Sequence, residues 1–571
     1  MLHRFTPRFL PAFILALAFP AAGLTPVAAR HAIVVSDEPL ATDAGVEILR
    51  AGGNAADAAV AVGFALAVTD PRAGNLGGGG FMLIRLANGE AAVVDYREEA
   101  PGAATRNMYL DAQGDPVPAS SRVGPLAVGV PGTVAGLALA EEKYGKLGLS
   151  RVLSPAIRLA EEGFPVSYAL ALSLKESEDH LSKFAESRRI FLRDGHLYEP
   201  GEIFRQPKLA QTLYFIAALG PNAFYRGPIA QDIVTTMRDL HGVVGPDDLA
   251  HYQAKLRRPL VGRFRGYTIL TVPPPSSGGV ALIEMLNILD PLDLGPPNSF
   301  ESLHLVAEAM RRAYADRATY LGDADFVSVP LSGLLSPKYA AKLREEILQA
   351  KGEGPVEPGN PVAFESRDTT HYSVVDGDGN AVANTYTLNG YYGSGVTVEG
   401  AGFLLNNEMD DFAAKPGAPN MFGLVQGEAN TVGPHKRPLS SMTPAIVLAD
   451  APPEGGAGQA TPQVRLVLGS PGGGTIINSV LEVILNVLVY KMDVQMAVTA
   501  PRYHHQWMPD RIDLERFGFS ADTIQKLHAA GYTTRFVENL GDVDAIEINP
   551  PGSGWRFGAA DPRGDGKAAG Y

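Results

Sequence analysis

Thr369 and Thr370 stand between a flexible stretch, residues 352–360 (GEGPVEPGN), and a run of strand-forming residues, 371–375 (HYSVV). A threonine hydroxyl is a weak nucleophile until a base takes its proton. The residue's own α-amine can be that base, with an ordinary pKa of roughly 7.7–8.0. That amine exists only after the peptide bond between Asp368 and Thr369 is cut. A nucleophile of this type therefore demands chain cleavage. The loop 376–380 (DGDGN) and the run 381–388 make a predicted β-hairpin with the strand before it. A loop centred on Asp378 sets Thr369 opposite Thr387, a second hydroxyl beside the amine. By pattern alone, Thr-Thr reads better as the opening of an ordinary strand, since threonine is a good strand former.

Other residues compete for chemical roles. His371 lies two residues beyond Thr369, on the same strand face. A threonine that carries its own amine needs no imidazole, so His371 is read as structural. His504 and His505 lack the spacing and carboxylates of a zinc site and read as a surface or packing pair. Residues 469–473 (GSPGG) enter a helix as a phosphate cradle would, but neither Walker lysine nor dinucleotide fingerprint follows. No metal and no cofactor are expected.

Several short blocks resemble the γ-glutamyltranspeptidase family. They are 368–376 (DTTHYSVVD), 52–59 (GGNAADAA), 75–81 (NLGGGGF), 95–98 (DYRE), 404–412 (LLNNEMDDF), 436–442 (KRPLSSM), 469–473 and 500–502 (APR). They follow the family's order over almost the whole chain after residue 30. The resemblance implies a self-cleaving precursor cut between Asp368 and Thr369. It implies an N-terminal-nucleophile hydrolase built as a four-layer α/β/β/α sandwich. Thr369 would take the γ-glutamyl group of glutathione or a related compound and pass it to water or to an amino acid or peptide.

The same resemblance assigns the pocket. Arg97 matches the carboxylate-binding arginine, whose planar fork suits two parallel hydrogen bonds. Ser440 and Ser441 match the serines at that carboxylate. Glu408 and Asp411 match the acids at the α-ammonium, with Asn389 beside them. Gly472 and Gly473 match the oxyanion donors, where glycine lets backbone N–H groups come close. Without the family, Arg97 would read as a surface residue paired with Glu98 or Glu99, and Glu408–Asp411 as a solvated loop. Phe422 occupies a lid position, within 416–427, where some relatives carry a tyrosine that bonds the pocket asparagine. A related glutaryl or cephalosporin acylase is the alternative enzyme. An unprocessed protein that binds glutamyl peptides is the alternative outside catalysis.

The elements around these blocks are legible by periodicity. Residues 41–50 read as a helix, and Asn54 with Asp57 as the cap of an apolar helix over 58–68. Residues 81–86 and 91–96 read as two strands, and most of 150–348 as helices, including 302–321. Further strands are expected at 402–405, 445–449 and 464–468, and a helix at 476–490. The whole has 571 residues, no cysteine and a formal charge of −14. That length can bury a large core, no disulfide is possible, and no basic stripe invites nucleic acid. Arg4 and Arg8, the apolar run from residue 9 and the small residues Val27, Ala28 and Ala29 make a secretory leader, cut after Ala29. An anchor is the other reading, but Pro11 and Pro20 interrupt a short run. A secreted or periplasmic enzyme follows, with a large piece 30–368, a small piece 369–571 and no membrane span in either. Phe422 removes the lid's hydroxyl bond to Asn389, so Phe422→Tyr is expected to lower the hydrolysis-to-transfer ratio. An unchanged ratio of the two rates would refute that reading of the lid.

Overall fold

The computed structural model describes residues 25–193, 195–349, 370–418, 420–421, 426–449 and 461–571. Residues 352–360, Asp368, Thr369, Phe422 and the leader up to residue 24 lie outside them. Fourteen strands build two sheets. β1 (Val27–Ala29) and β2 (Ile33–Ser36) come first, then the pair β3 (Gly79–Arg85) and β4 (Ala91–Asp95). β5 (Lys255–Arg257), β6 (Leu260–Phe264) and β7 (Tyr267–Thr271) follow. β8 (Thr370–Val375) and β9 (Ala381–Thr387) form the hairpin, and β10 (Ala445–Ala449) and β11 (Gln463–Gly469) another pair. β12 (Asp544–Ile548), β13 (Arg556–Ala559) and β14 (Lys567–Gly570) end the series.

One sheet runs β14-β2-β8-β9-β3-β4-β5 and the other β1-β13-β12-β11-β10-β7-β6. Side-chain alternation sorts each strand's residues between two neighbours. Ile33, Val35, Phe81, Leu83 and Val375 meet Leu270, Ile446, Val467 and Ile546 between the sheets. Val34, Met82, Tyr372 and Val374 point the other way, onto the helices α1 (Pro39–Arg50), α2 (Ala55–Thr69) and α3 (Thr133–Tyr144). Ile269, Val447, Leu466 and Leu468 face α4 (Gly278–Leu289), α5 (Phe300–Tyr320) and α6 (Thr475–Leu488). This is the expected four-layer α/β/β/α sandwich.

Local signals were realised where they were strongest. Asn54 Oδ1 accepts the N–H groups of Ala56 and Asp57, and Asp57 accepts that of Asn54, a complete capping box. The hairpin pairs Thr370 with Tyr386 and Val375 with Ala381, the register that a loop centred on Asp378 requires. The partner proposed for Thr387 lies outside the described residues. Asp376 Oδ1 takes the N–H groups of Asp378 and Asn380 and so closes that loop.

Two expectations need correction. Residues 402–405 form no strand; Leu404 and Leu405 make single bridges to Thr397 and Gly77. Gly400 and Gly402 sit at φ +92° and +78°, which breaks an extended run. The mainly helical stretch also holds β5, β6 and β7. The last two turn at Arg265-Gly266, both with positive φ, as a tight hairpin requires. The expected leader boundary after Ala29 coincides with the end of β1, whose Ala29 is buried and paired with Arg556. Removing the leader there would strip one edge strand from the second sheet. Asn54→Ala deletes the α2 cap and its bond to Tyr144 O at 2.7 Å. Urea unfolding of the variant is expected to show a loss of about 1–2 kcal/mol.

Candidate active site

The hairpin sets Thr370, at the start of β8, opposite Tyr386, next to Thr387 at the end of β9. At the start of β8, Thr370 Oγ1 donates to Asp37 Oδ2 at 2.5 Å and His371 N donates to the same oxygen at 3.1 Å. Asp37 follows β2, so this carboxylate ties the first residues of β8 to the neighbouring strand's exit. Burial pushes its pKa up to about 6, against the bond from Thr370. At the end of β9, Thr387 Oγ1 accepts the N–H of Asn389 at 2.8 Å. The run 77–80 passes so close that a Cβ on Gly78 would lie 2.0 Å from Thr387 O. Glycine is required there by contact.

His371 is wholly buried between the sheets. Its ring meets Thr385 Oγ1 at 2.8 Å and Ser373 Oγ at 3.1 Å. Burial pushes its pKa down to about 3. It is a neutral packing group, in line with the structural reading. His504 and His505 are buried as well, on Asn478 Nδ2 and Asp510 respectively. They are packing residues rather than surface ones. No group of three or more His, Cys, Asp or Glu suited to a metal occurs among the described residues.

Arg97 lies just after β4 with no exposed surface. Its terminal nitrogens donate to Glu408 Oε1 and Asp411 Oδ2, and Nε donates to Pro438 O at 3.1 Å. The pairing with Glu98 is looser, 3.5 Å, while Glu99 turns away to Arg437. A surface arginine and a solvated acidic loop are thus both ruled out: Glu408 and Asp411 are 1% and 5% exposed. Burial pushes Glu98 up to about 7 and Glu408 well above the usual carboxylate range, although Arg97 opposes both shifts. Three buried carboxyl groups thus share one guanidinium, and protonation relieves part of the excess negative charge.

Ser440 and Asn389 adjoin this centre through neighbouring backbone groups. Arg97 Nη2 reaches Leu439 O at 3.3 Å, immediately before Ser440. Ser440 Oγ accepts Met442 N, and Ser441 Oγ accepts Arg317 Nη2 at 2.8 Å. Asn389 Nδ2 donates to Asn407 O at 3.0 Å, next to Glu408. Gly472 and Gly473 link β11 to α6 at φ +122° and +60°, angles that exclude most side chains. Of their supporting contacts, Asp37 and Arg317 were missed by sequence reasoning, whereas Glu98 was named as a partner of Arg97. Only Glu98 lay inside a recognised block.

A family model described as gamma-glutamyltranspeptidase matches residues 41–571. The chain belongs to the γ-glutamyltranspeptidase family. Among curated relatives, the glutathione hydrolase proenzyme of Escherichia coli K12 is 48% identical over 552 residues, covering 96% of this chain and 93% of that one. The Acylase ACY 1 proenzyme of Pseudomonas sp. SE83 is 37% identical over 553 residues, covering 95% and 94%. A cephalosporin acylase structure from Bacillus halodurans superposes with TM-score 0.85 at 29% identity, covering 100% of this chain and 99% of that one. The gamma-glutamyltranspeptidase of Helicobacter pylori superposes with TM-score 0.53 at 47% identity, covering 57% and 91%. The fold and the family agree with the resemblance, and several relatives are named as proenzymes.

The buried imidazole of His371 has a measurable sign. The unfolded chain takes up this proton near the ordinary value of about 6.5. The folded chain takes it up only near 3. Folding is therefore opposed increasingly as pH falls through that window, and unaffected by this group above it. The ring resonances of ¹³C-labelled His371, assigned with His371→Gln, are expected to stay flat from pH 5 to 8. A midpoint within that range would overturn the packing role.

Proposed function

We propose that this chain is a secreted, self-processing γ-glutamyltransferase and glutathione hydrolase. Residues 1–29 act as the leader that directs it to the periplasm or beyond. Among the described residues no helix is long and apolar enough to cross a membrane. The precursor cuts itself between Asp368 and Thr369 into pieces 30–368 and 369–571. The pieces stay together as a heterodimer, because β8 and β9 pair with β2 and β3 from the other side of the cut.

The freed α-amine of Thr369 takes the proton from its own Oγ, and Thr387 supports that pair with its hydroxyl. Oγ attacks the γ-glutamyl carbonyl of glutathione or a related donor. The N–H groups of Gly472 and Gly473 stabilise the oxyanion. The C–N bond breaks, the amine leaves with the proton, and an ester on Thr369 remains. Water, an amino acid or a peptide then resolves the ester. Glutathione, γ-glutamyl compounds and amino-acid acceptors are the partners implied.

One observation carries the donor assignment: Arg97 is buried and saturated by Glu408 and Asp411. A γ-glutamyl group brings a carboxylate and an ammonium together. Entering this cluster, it exchanges partners: its carboxylate takes Arg97 with help from Ser440 and Ser441, and its ammonium takes Glu408, Asp411 and Asn389. No charge is left unpaired by the exchange. A glutaryl group, the substrate of the alternative acylase reading, has no ammonium. It would take Arg97 away and leave both acids buried without a cation.

N-terminal sequencing of the purified protein is expected to find a fragment beginning at Thr369. Thr369→Ala is expected to stay as one band and to lose γ-glutamyl-anilide turnover by more than about a thousandfold. An active uncut protein would sink the mechanism. Arg97→Lys keeps the charge but loses the fork, so the donor KM should rise about ten- to hundredfold. Glutaryl-anilide cleaved faster than γ-glutamyl-anilide would favour the acylase instead.

A further inference from the structure

Arg97, Arg437, Arg465 and Arg502 are buried, and each holds a carboxylate. Arg85 and Arg556 are buried too, 3% and 6% exposed, and hold no carboxylate among the described residues. Arg85 Nη2 donates to Pro462 O at 3.0 Å, and its other two nitrogens have no partner among those residues. Arg556 gives both terminal nitrogens to carbonyls, including Arg30 O at 2.6 Å and Asp376 O at 2.7 Å. Its buried Nε has no partner. Burial lowers the pKa of both arginines, for Arg556 against the pull of Asp376. A buried guanidinium without an anion is a cost that the fold carries.

The two arginines line one cavity of about 480 Å³. It lies far from the expected nucleophile. β3 runs from Gly79, opposite Thr387, to Arg85, opposite Ala381. Six steps along the strand set Arg85 about 20 Å from the partner of Thr387. Arg85 follows Phe81 and Leu83 on the face turned to the second sheet. Arg556 pairs with Ile548, which lies in that same layer. Both cations thus edge the space between the sheets, where Gly377 and Gly379 of the β8–β9 loop close the wall. Asp378 is the only acid on the wall among the described residues, and its exposed carboxylate pairs with Lys146 Nζ at 3.5 Å. The volume admits an oxyanion of diphosphate size together with water.

We propose that this cavity binds a small, multiply charged oxyanion of the diphosphate class. Arg85 supplies free donors of a planar fork, and Arg556 supplies the second positive charge. Binding needs no cut in the chain. A second role rests on the cleavage proposed above: Arg85 belongs to the piece before the cut and Arg556 to the piece after it. A bound anion then joins the two pieces, and their separation is slowed because the anion must leave first.

The test titrates sodium pyrophosphate into the purified protein by calorimetry, with ionic strength held constant by sodium chloride. The wild type is expected to bind one pyrophosphate per chain with a Kd below about 1 mM. Arg85→Gln should weaken binding about tenfold or more. Gln463 is an exposed wall residue, and its change to an acid carries the test if the arginine variant does not fold. Gln463→Glu should weaken binding about threefold or more. A wild type that gives no saturable heat would overturn the proposal. So would binding that either folded variant leaves unchanged. Pyrophosphate is expected not to alter γ-glutamyl-p-nitroanilide hydrolysis; competition with the donor would put the anion on Arg97 and overturn the site. Thr369→Ala should bind pyrophosphate as the wild type does. A wild type that proves uncut would overturn the proposed maturation while this binding still stands, so the two readings fail separately. For the cut enzyme, pyrophosphate at about ten times its Kd should lengthen the unfolding half-time in urea about threefold or more. A half-time unchanged despite binding would overturn the linking role.

Discussion

Strand β8 is hydrogen-bonded on both edges, to β2 and to β9. Everything expected of Thr369 depends on that clamp. A residue that must lose its preceding peptide bond needs a position that survives the loss. Backbone ladders on two sides, and the Asp37 carboxylate across Thr370 and His371, supply that position from residues on both sides of the cut. The ladders lie between sheet and helices, sheltered from water, where each bond is stronger and costlier to break.

The second constraint is the handling of charge at Arg97. A lone buried guanidinium would be prohibitive, and three carboxyls around it are an excess in the other direction. Burial pushes Glu98 and Glu408 upward, toward the protonated form, which eases that excess. Such a centre is poised to exchange internal partners for those of a ligand.

Sequence pattern carried far where the determining contacts were local. The Asn54–Asp57 cap, the Asp376–Asn380 loop and hence the hairpin register needed only neighbours within a few residues. The β6–β7 hairpin was hidden because Arg265-Gly266 is a weaker turn signal than Asn-Gly, set among strongly helical text. Residues 402–405 looked like a strand by apolar content, but two glycines with positive φ set the backbone instead. The candidate site was legible as short blocks. Its wiring was not: Arg97 meets Glu408 and Asp411 across more than three hundred residues, and Arg317 reaches Ser441 from the last turn of α5. Nothing near Asp37 in the chain marks it as the anchor of β8. Glu98 and Glu99 are adjacent and chemically alike, yet only the fold decides that one joins Arg97 and the other Arg437.

Both sheets interleave strands from before and after the proposed cleavage position, in the order β14-β2-β8-β9-β3-β4-β5 in the first. Before the cut, a molecule that opens can close again by itself. Afterwards, reassembly is a meeting of two fragments and depends on their concentration. In dilute surroundings that encounter is too slow to rescue an opened molecule, so the lifetime of the matured enzyme is governed by how fast its shared sheets first come apart.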